Sequence, residues 1–321
     1  MTETKVVGNA LHLEHLFPPP EEGLKTFQSF WSSPEKFADE LVTYNKKDAW
    51  QDAAWEKDTG GWYGTNTFEE AIQLIRSGWK EGVDQVARVQ GKVLARYPLQ
   101  KKPARYGIVG SVPSVARAVA GNPLNMQIMD PKKASKRPII TLVSDIAALC
   151  NHSGEEMINR AAVVAALIDQ IEAAGYCCEV ITAAYSNADW RNDKFKYRAH
   201  IIVKESNQPV DIARLAFGLG HAGMFRRLIF AEKGYHQFCR DLGGGLGCTD
   251  KINIGGEVQK RLAEKNMYVI PSIQGTTCFT TEEKAETEGV EYILKALRSQ
   301  KFPVFDYKGL SEEPLKEEDE D

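Results

Sequence analysis

The sequence predicts an α+β fold, with a mixed or antiparallel sheet, helices on one face of it and a mainly helical N-terminal region. Two capping boxes, Thr67-x-x-Glu70 and Ser153-x-x-Glu156, each precede apolar residues at helical spacing. The segment Phe195–Lys204 alternates apolar and polar residues, as strands do. The order of elements over Ile139–Ile273 resembles a split β-α-β sheet whose second face is open.

The composition of the chain indicates which class of protein it belongs to. The chain of 321 residues is 43% hydrophobic and 26% charged, which is typical of a globular protein. It contains no apolar run of about 18 residues, so a membrane span is not expected. The start, Met-Thr-Glu-Thr-Lys, has no secretory pattern, and the six cysteines include no C-x-x-C pair. We therefore expect a cytoplasmic protein with reduced thiols.

The N-terminal third divides into an arm and a tryptophan-rich region. Residues 1–22 form an arm that ends in three prolines, and residues 23–91 contain five of the six tryptophans. Within this region Thr67 begins a helix that buries one apolar face and ends at Gly78. The tryptophans are interpreted as core residues, since a small region buries its largest side chains.

Residues 92–310 are predicted to form a basic α+β domain, and residues 311–321 a disordered acidic tail. The domain begins with an irregular connector, Lys92–Asp130, that holds one short helix, Val112–Ala120, and leads to an exposed basic loop, Pro131–Arg137. The predicted elements that follow are the strand Ile139–Val143, the helix Met157–Ala174 ending at Gly175, the strand Tyr176–Tyr185, the turn Ser186–Lys194, the strand Phe195–Lys204, the helix pair Val210–Glu232 broken at Gly218–Gly223, the strand Met267–Ile273 and the helix Thr281–Ser299.

The charge is unevenly distributed along the chain. The net charge is −4, yet Arg88–Arg240 holds 22 Lys and Arg against 12 Asp and Glu. The tail Ser311–Asp321 has seven acids and one lysine. A cationic segment favours polyanions because binding releases counterions from the phosphates. The anionic tail, including Glu317, Glu318, Asp319, Glu320 and Asp321, is predicted to compete for the same surface. Acidic ends that only improve solubility are the alternative.

Cations and aromatic rings alternate around Trp190–Arg198, which is the pairing that holds single-stranded DNA. Trp190 and Tyr185 are predicted to stack on bases, and Arg226 and Arg227 to extend the basic path. A strand that buries its rings and leaves its cations solvated is the alternative. The candidate DNA-binding residues are Lys132, Lys133, Lys136, Arg137, Tyr185, Trp190, Arg191, Lys194, Lys196, Arg198, Arg226 and Arg227.

No catalytic signature is complete, so we expect no enzyme, no cofactor and no metal. Gly218-x-Gly220-x-x-Gly223 lacks the strand that precedes a dinucleotide-binding loop, so a close helix crossing is favoured. Gly243–Gly247 lacks the Lys-Ser/Thr of a P-loop and is favoured as a hinge. Cys150-x-His152 and His236-x-x-Cys239 do not have zinc-finger spacing. A nucleotide-dependent enzyme that uses either glycine segment, or a protein that only binds other proteins, remains an alternative.

Several stretches together resemble a known family. They include Gly61-Trp62-Tyr63-Gly64-Thr65, Gly78-Trp79-x-Glu81-Gly82, Gly107-x-x-Gly110-Ser111-Val112-Pro113 and Phe225-Arg226-Arg227. Over roughly Phe27–Ala231 the chain resembles the Drc family, the single-stranded-DNA-binding RNA polymerase cofactors of Schitoviridae bacteriophages. The resemblance implies sequence-nonspecific binding of single-stranded DNA and a fold that is not an OB barrel. It also implies recruitment of a phage RNA polymerase in middle transcription and a location in the cytoplasm of the infected bacterium. It also leaves room for oligomers on DNA and a role in replication.

Overall fold

The computed structural model describes most of the chain. The described residues are 3–10, 25–49, 53–58, 61–97, 106–109, 112–127, 138–190, 193–236, 249, 252 and 256–303. The acidic tail therefore lies outside the described residues, as does the basic loop Pro131–Arg137.

A six-stranded mixed sheet forms the centre of the fold, with the strand order β1-β2-β8-β7-β6-β9. Its strands are β1 (Glu3–Gly8), β2 (Lys25–Trp31), β6 (Ile139–Asp145), β7 (Cys177–Trp190), β8 (Asp193–Lys204) and β9 (Met267–Ile270). Among the described strands of this sheet, β7 and β8 alone pair antiparallel. The predicted α+β class with a mixed sheet is confirmed, and the strand order differs from that of an OB barrel.

The helices that begin at Phe68, Gly154, Ile212 and Glu282 were predicted from the sequence pattern, whereas those that begin at Pro34, Val83 and Gly256 were not. The helices are α1 (Pro34–Leu41), α2 (Phe68–Ser77), α3 (Val83–Arg96), α5 (Gly154–Ala173), α6 (Ile212–Gly220), α7 (Phe230–Tyr235) and α8 (Gly256–Glu264). A π-helical turn, Met224–Ile229, leads into α7, and α9 (Glu282–Lys284) continues through a second one, Ala285–Gly289, into α10 (Val290–Ser299). A small sheet of β3 (Tyr106–Gly107), β4 (Val112–Pro113) and β5 (Met126–Gln127), with α4 (Val115–Val119), replaces most of the expected irregular connector.

The central β-α-β unit is direct and not split. β6 and β7 are parallel neighbours, paired from Ile139↔Cys177 to Asp145↔Ala183, and α5 connects them. The Ser153 side chain accepts a hydrogen bond from the Glu156 N–H, and the Glu156 carboxylate accepts one from the Ser153 N–H. Both halves of the predicted capping box are therefore present, and α5 is buried on nearly all sides, as its sequence indicates.

Both faces of the sheet carry buried side chains. The larger core contains residues of α1, α2, α3, α5, α6 and α10 and lies against one face. A second cluster lies on the opposite face, where Phe30, Ile181 and Ile202 pack with Leu262 of α8. The expectation that the second face is open is wrong, because apolar side chains at alternate positions of β2, β7 and β8 are buried there too.

The tryptophan-rich region shares its core with the sheet. Trp31 is buried, and the partly buried Trp55, Trp62 and Trp79 pack against the same cluster, which confirms the interpretation of these four as core residues. Trp50 lies outside the described residues. β2 pairs with β8 in the middle of the sheet, and the expected boundary at residues 91 and 92 falls inside α3. The N-terminal region therefore contributes strands and helices to the same packed unit as the basic segment.

Candidate nucleic-acid interface

The β7–β8 hairpin extends beyond its neighbour β6. β6 pairs with β7 only as far as Ala183, whereas β7 continues to Trp190. The extension is seven residues, about 23 Å at the usual strand rise of ~3.3 Å per residue. The segment Ser186–Lys194, expected as a turn, is therefore mostly strand, and pairing continues to Trp190↔Asp193. Cross-strand pairing outweighs the turn preference of Ser, Asn and Asp in this segment.

Five of the candidate DNA-binding residues lie in the extended part of the hairpin, and three of them, Trp190, Lys194 and Lys196, are nearest its end. Lys194 pairs with Asp189, Lys196 pairs with Asn187, and Trp190 is the last residue of β7. Lys196 is half-buried. Arg191, in the connection between the strands, lies outside the described residues. The backbone register thus brings Trp190, Lys194 and Lys196 to one end of the hairpin.

Tyr185 and Arg198 lie in the interior, at paired positions of β7 and β8. The exposed fractions are 7% for Tyr185 and 6% for Arg198. The hydroxyl of Tyr185 is hydrogen-bonded to Nε2 of His200 at 2.8 Å, and the guanidinium of Arg198 lies 5.6 Å from the centre of the Tyr185 ring. Burial raises the pKa of the Tyr185 hydroxyl, partly offset by Arg198. This placement corrects the expectation that Tyr185 stacks on bases and that Arg198 contacts phosphates.

Arg226 is buried and binds backbone carbonyl groups. It is 2% exposed, and its Nη atoms donate to the carbonyls of Trp62, Leu149 and His152 at 2.9, 3.2 and 2.6 Å. Its guanidinium also lies 4.4 Å from the Trp62 ring centre. Burial lowers the pKa of Arg226. Its donors are directed into the fold, which corrects the expectation that it extends a basic surface path.

Arg227 forms hydrogen bonds to a second stretch of the tryptophan-rich region. Its exposed fraction is 0%, and it donates to the carbonyls of Ala54 and Thr65 at 2.9 Å and of Asn66 at 3.2 Å, and also to that of Glu56. The Tyr63 ring centre lies 4.0 Å from the guanidinium. Two adjacent arginines therefore hold the irregular segment before α2 against the π-helical turn. The expected surface role of Arg227 is corrected for the same reason as that of Arg226.

Pro138, the first described residue after the basic loop, and the hairpin tip lie at opposite ends of β7. Lys132, Lys133, Lys136 and Arg137 are outside the described residues, but the next residue, Pro138, accepts a hydrogen bond from the N–H of Cys177 at 3.0 Å. Cys177 begins β7 and Trp190 ends it. The chain therefore enters the sheet at the end opposite the hairpin tip, about 43 Å away along the strand. The described residues do not bring the two basic segments together.

Much of the positive charge of the middle segment is internal. Among the described residues, six of its cations are buried, accompanied by the buried acids Asp145 and Glu232. These cations are Arg160, Arg198, Lys204, Arg226, Arg227 and Lys233. Charge counted along the sequence therefore overestimates the positive charge that faces solvent.

The interior network around Glu232 was not predicted from the sequence. The Glu232 carboxylate is fully buried and accepts hydrogen bonds from Ser29 Oγ at 3.0 Å, from Trp31 Nε1 at 3.1 Å and from the Tyr197 hydroxyl. Burial raises its pKa, while these three donors oppose the rise. The available signal was a charged pair, Glu232–Lys233, directly after a strongly apolar helical run. The network joins β2, β8 and α7 beneath the hairpin.

The glycine motif has a packing role, and the cysteine motif forms no metal site among the described residues. A Cβ atom on Gly218 would lie 2.9 Å from a methyl group of Val203, and one on Gly220 would lie 2.6 Å from Cβ of Ala161. These glycines lie inside α6 and allow close packing, so the favoured helix crossing is confirmed. Gly243–Gly247 and Cys239 lie outside the described residues. Over the part of the chain that is described, no group of three or more His, Cys, Asp or Glu is arranged to hold a metal ion.

A family model described as "Domain of unknown function (DUF7192)" matches residues 12–300. Neither a curated protein nor a solved structure matches the chain. Among the helices of the described residues, none combines the length and the apolar character that crossing a membrane requires.

Proposed function

We propose a function from the residues of this chain itself, because the chain belongs to the DUF7192 family, whose description states no activity. In this proposal the protein binds single-stranded DNA, without sequence specificity and without catalysis, and the extended end of the β7–β8 hairpin is its primary contact. The observation that carries the proposal is the continuation of β7 for seven residues past β6, with Lys194, Lys196 and Trp190 at its end.

Physical chemistry favours this segment over the other candidates. A single strand is held by cations that follow its phosphates and by aromatic rings that stack on its bases, at about 1–3 kcal/mol per stacked base. Arg226 and Arg227 use their donors inside the fold. Lys194 and Lys196 are two residues apart on one strand, next to the two-residue connection that contains Arg191. The proposed footprint is therefore Trp190, Arg191, Lys194 and Lys196, with the loop Lys132–Arg137 as a separate contact.

The resemblance to the Drc family supports a more specific role. On this proposal the protein acts in the cytoplasm of an infected bacterium, where it recruits a phage RNA polymerase to unwound DNA in middle transcription. The acidic tail, including Glu317–Asp321, occupies the basic surface when DNA is absent. The polymerase is then the second partner, and assembly of several copies along one strand is compatible with this role.

Fluorescence anisotropy of a labelled oligo-dT tests the DNA contact. The double reversal Lys194→Glu/Lys196→Glu is expected to weaken binding by about tenfold or more and to flatten its dependence on salt, since each phosphate contact contributes to the slope. Lys295→Glu/Arg298→Glu on α10 is the matched control, because both side chains are exposed and the change in net charge is equal. Equal affinity of the two double variants contradicts the hairpin as the contact.

Removal of residues 311–321 tests the role of the tail separately. We expect the truncated protein to bind oligo-dT as tightly as the full chain or more tightly, with the largest gain at low salt, where electrostatic competition is strongest. A marked loss of affinity on truncation would mean that the tail supports DNA binding and does not compete with it.

A further inference from the structure

A second region of the molecule, separate from the hairpin, has the form of a binding site. A cleft of about 480 Å³ lies beside the first turn of α5, bordered by α3 and by the break between α6 and the π-helical turn. Its lining includes Trp79, Gln85, Arg88, Gly154, Glu155 and His221. Clefts of roughly 300–1,000 Å³ are the usual size for small-molecule ligands.

His221 presents a hydrogen-bond donor to this cleft. The ring is 6% exposed, and its Nδ1 accepts a hydrogen bond from the Gly223 N–H at 3.0 Å. Burial lowers the pKa of His221 to about 4, so the ring is neutral at pH 7 and its one proton is on Nε2. No described residue accepts a hydrogen bond from Nε2, although the side chain is more than nine-tenths buried. Nε2 is not among the fully enclosed, unpartnered side-chain atoms of the described residues, so this donor has access to the cleft and is open to a ligand.

The start of α5 adds two further donors. The Ser153 side chain caps only the N–H of Glu156. The N–H groups of Gly154 and Glu155, the first two of the helix, have no acceptor among the described residues. Since Gly154 has no side chain, the atoms with which it lines the cleft are backbone atoms. Free N–H groups and the positive end of a 20-residue helix favour an anionic group at this position.

The remaining walls are aromatic and polar. The Trp79 and His221 rings meet edge to face with their centres 4.5 Å apart. Arg88 Nε and Lys92 Nζ both contact the Glu282 carboxylate, at 3.0 and 2.8 Å. Glu155 adds a second carboxylate to the lining, so the charged side chains balance and the N–H donors carry the preference for an anionic group. The Gln85 amide adds a donor and an acceptor beside them.

We propose that this cleft binds a ligand of the nucleoside monophosphate class, which joins a planar ring to one anionic group. The phosphate accepts hydrogen bonds from the N–H groups of Gly154 and Glu155 and from His221 Nε2, while the base lies against Trp79. The cleft is larger than an inorganic anion alone needs. The aromatic wall favours a planar ring in the remaining space. This inference does not depend on binding of DNA at the hairpin.

Calorimetric titration with deoxyadenosine monophosphate, deoxyadenosine and inorganic phosphate tests the ligand class. We expect the monophosphate to bind at least about tenfold more tightly than either part, because both recognition elements then act together. Inorganic phosphate that binds as tightly as the monophosphate would overturn the aromatic contact. Deoxyadenosine that binds as tightly would overturn the phosphate contact, and a lack of binding by all three probes would overturn the whole proposal.

A pair of substitutions at one position tests the helix terminus. Gly154→Pro removes the N–H at the first helical position, where proline is well tolerated, and the preceding Ser153 already has an extended backbone. Gly154→Ala retains the N–H, and its added Cβ atom meets no atom within 4 Å. We expect Gly154→Pro to weaken monophosphate binding about fivefold or more and Gly154→Ala to leave it unchanged. Equal binding by the two variants would contradict the proposed phosphate position.

His221→Asn tests the side-chain donor. The asparagine oxygen is placed to accept from the Gly223 N–H, but no group replaces Nε2, so we expect about tenfold weaker monophosphate binding with a near-normal melting temperature. Arg76→Gln, which breaks an exposed ion pair with Asp39 away from the cleft, is the control. The hairpin variant Lys194→Glu/Lys196→Glu is expected to bind the monophosphate normally, so failure of the DNA proposal and failure of this one are distinguishable.

Discussion

Cations of one basic stretch of sequence occupy two contrasting regions of this fold. Arg226 and Arg227 lie inside, where seven hydrogen bonds from their Nη atoms reach backbone carbonyls. Lys194 and Lys196 lie in the part of the hairpin that extends past β6. The comparison teaches that a cluster of positive charge in a sequence can organise a core as readily as it can form a binding surface. The two regions should therefore respond differently to pH, to substitution and to salt.

Lowering the pH is expected to have the largest effect on stability, through the buried histidines. Burial lowers the pKa of His200 to about 3 and those of His221 and His236 to about 4, with smaller contributions from Arg198 on His200 and from Lys5 on His236. Between pH 6.5 and pH 4 the unfolded chain binds protons at these positions and the folded protein does not, so stability falls as the pH falls. We expect a loss on the order of 5 kcal/mol between pH 7 and pH 5. Urea unfolding at several pH values measures it, and constant stability over this range would contradict the neutral interior.

Truncation of one buried arginine should have the next largest effect. Arg227→Ala leaves four carbonyl groups without their donor, and we expect the free energy of unfolding to fall by about 3–5 kcal/mol. Arg227→Lys retains the charge but loses the planar fork, so it should recover only part of the stability. A loss below about 1 kcal/mol for Arg227→Ala would show that the arginine does not hold the tryptophan-rich region in place.

Helix packing offers a smaller and more local test. Gly220→Ala places a methyl group 2.6 Å from Cβ of Ala161 and is expected to cost about 1–2 kcal/mol after the gain in helix propensity. Gly91→Ala, in the exposed middle of α3, meets no atom within 4 Å and should stabilise by up to about 1 kcal/mol. Thermal unfolding of both variants compares them directly. Effects of the same sign would argue against close α5–α6 packing as the reason for Gly220.

The sequence predicted the elements whose ends are set by contacts between residues near one another in the chain. The Ser153 capping box and Gly175 enclose α5, and Thr67 begins α2 as expected. Elements that depend on distant partners were missed. β2 has no distinctive pattern and is stabilised by pairing with β8, about 170 residues later in the chain. The turn expected over Ser186–Lys194 failed for the same reason, since its polar residues continue the ladder with β8.

The candidate interface was predictable only in part, because alternation along a strand does not reveal what covers each face. Arg198 and His200 occupy the polar positions of β8, yet both are buried beside Tyr185 and Phe30. The register that brings Lys194 and Lys196 to the hairpin end follows from the tertiary pairing. The donor of His221 could not be predicted either, because its cleft is assembled from five separate parts of the chain.

Oligo-dT binding by Lys194→Glu/Lys196→Glu, measured at two salt concentrations beside Lys295→Glu/Arg298→Glu, tests the central claim most directly. We expect only the hairpin variant to lose affinity, by about tenfold or more at the lower salt, and its salt dependence to become shallower. An unchanged affinity and slope in the hairpin variant would contradict the account, as would a failure of the unaltered protein to bind the oligonucleotide.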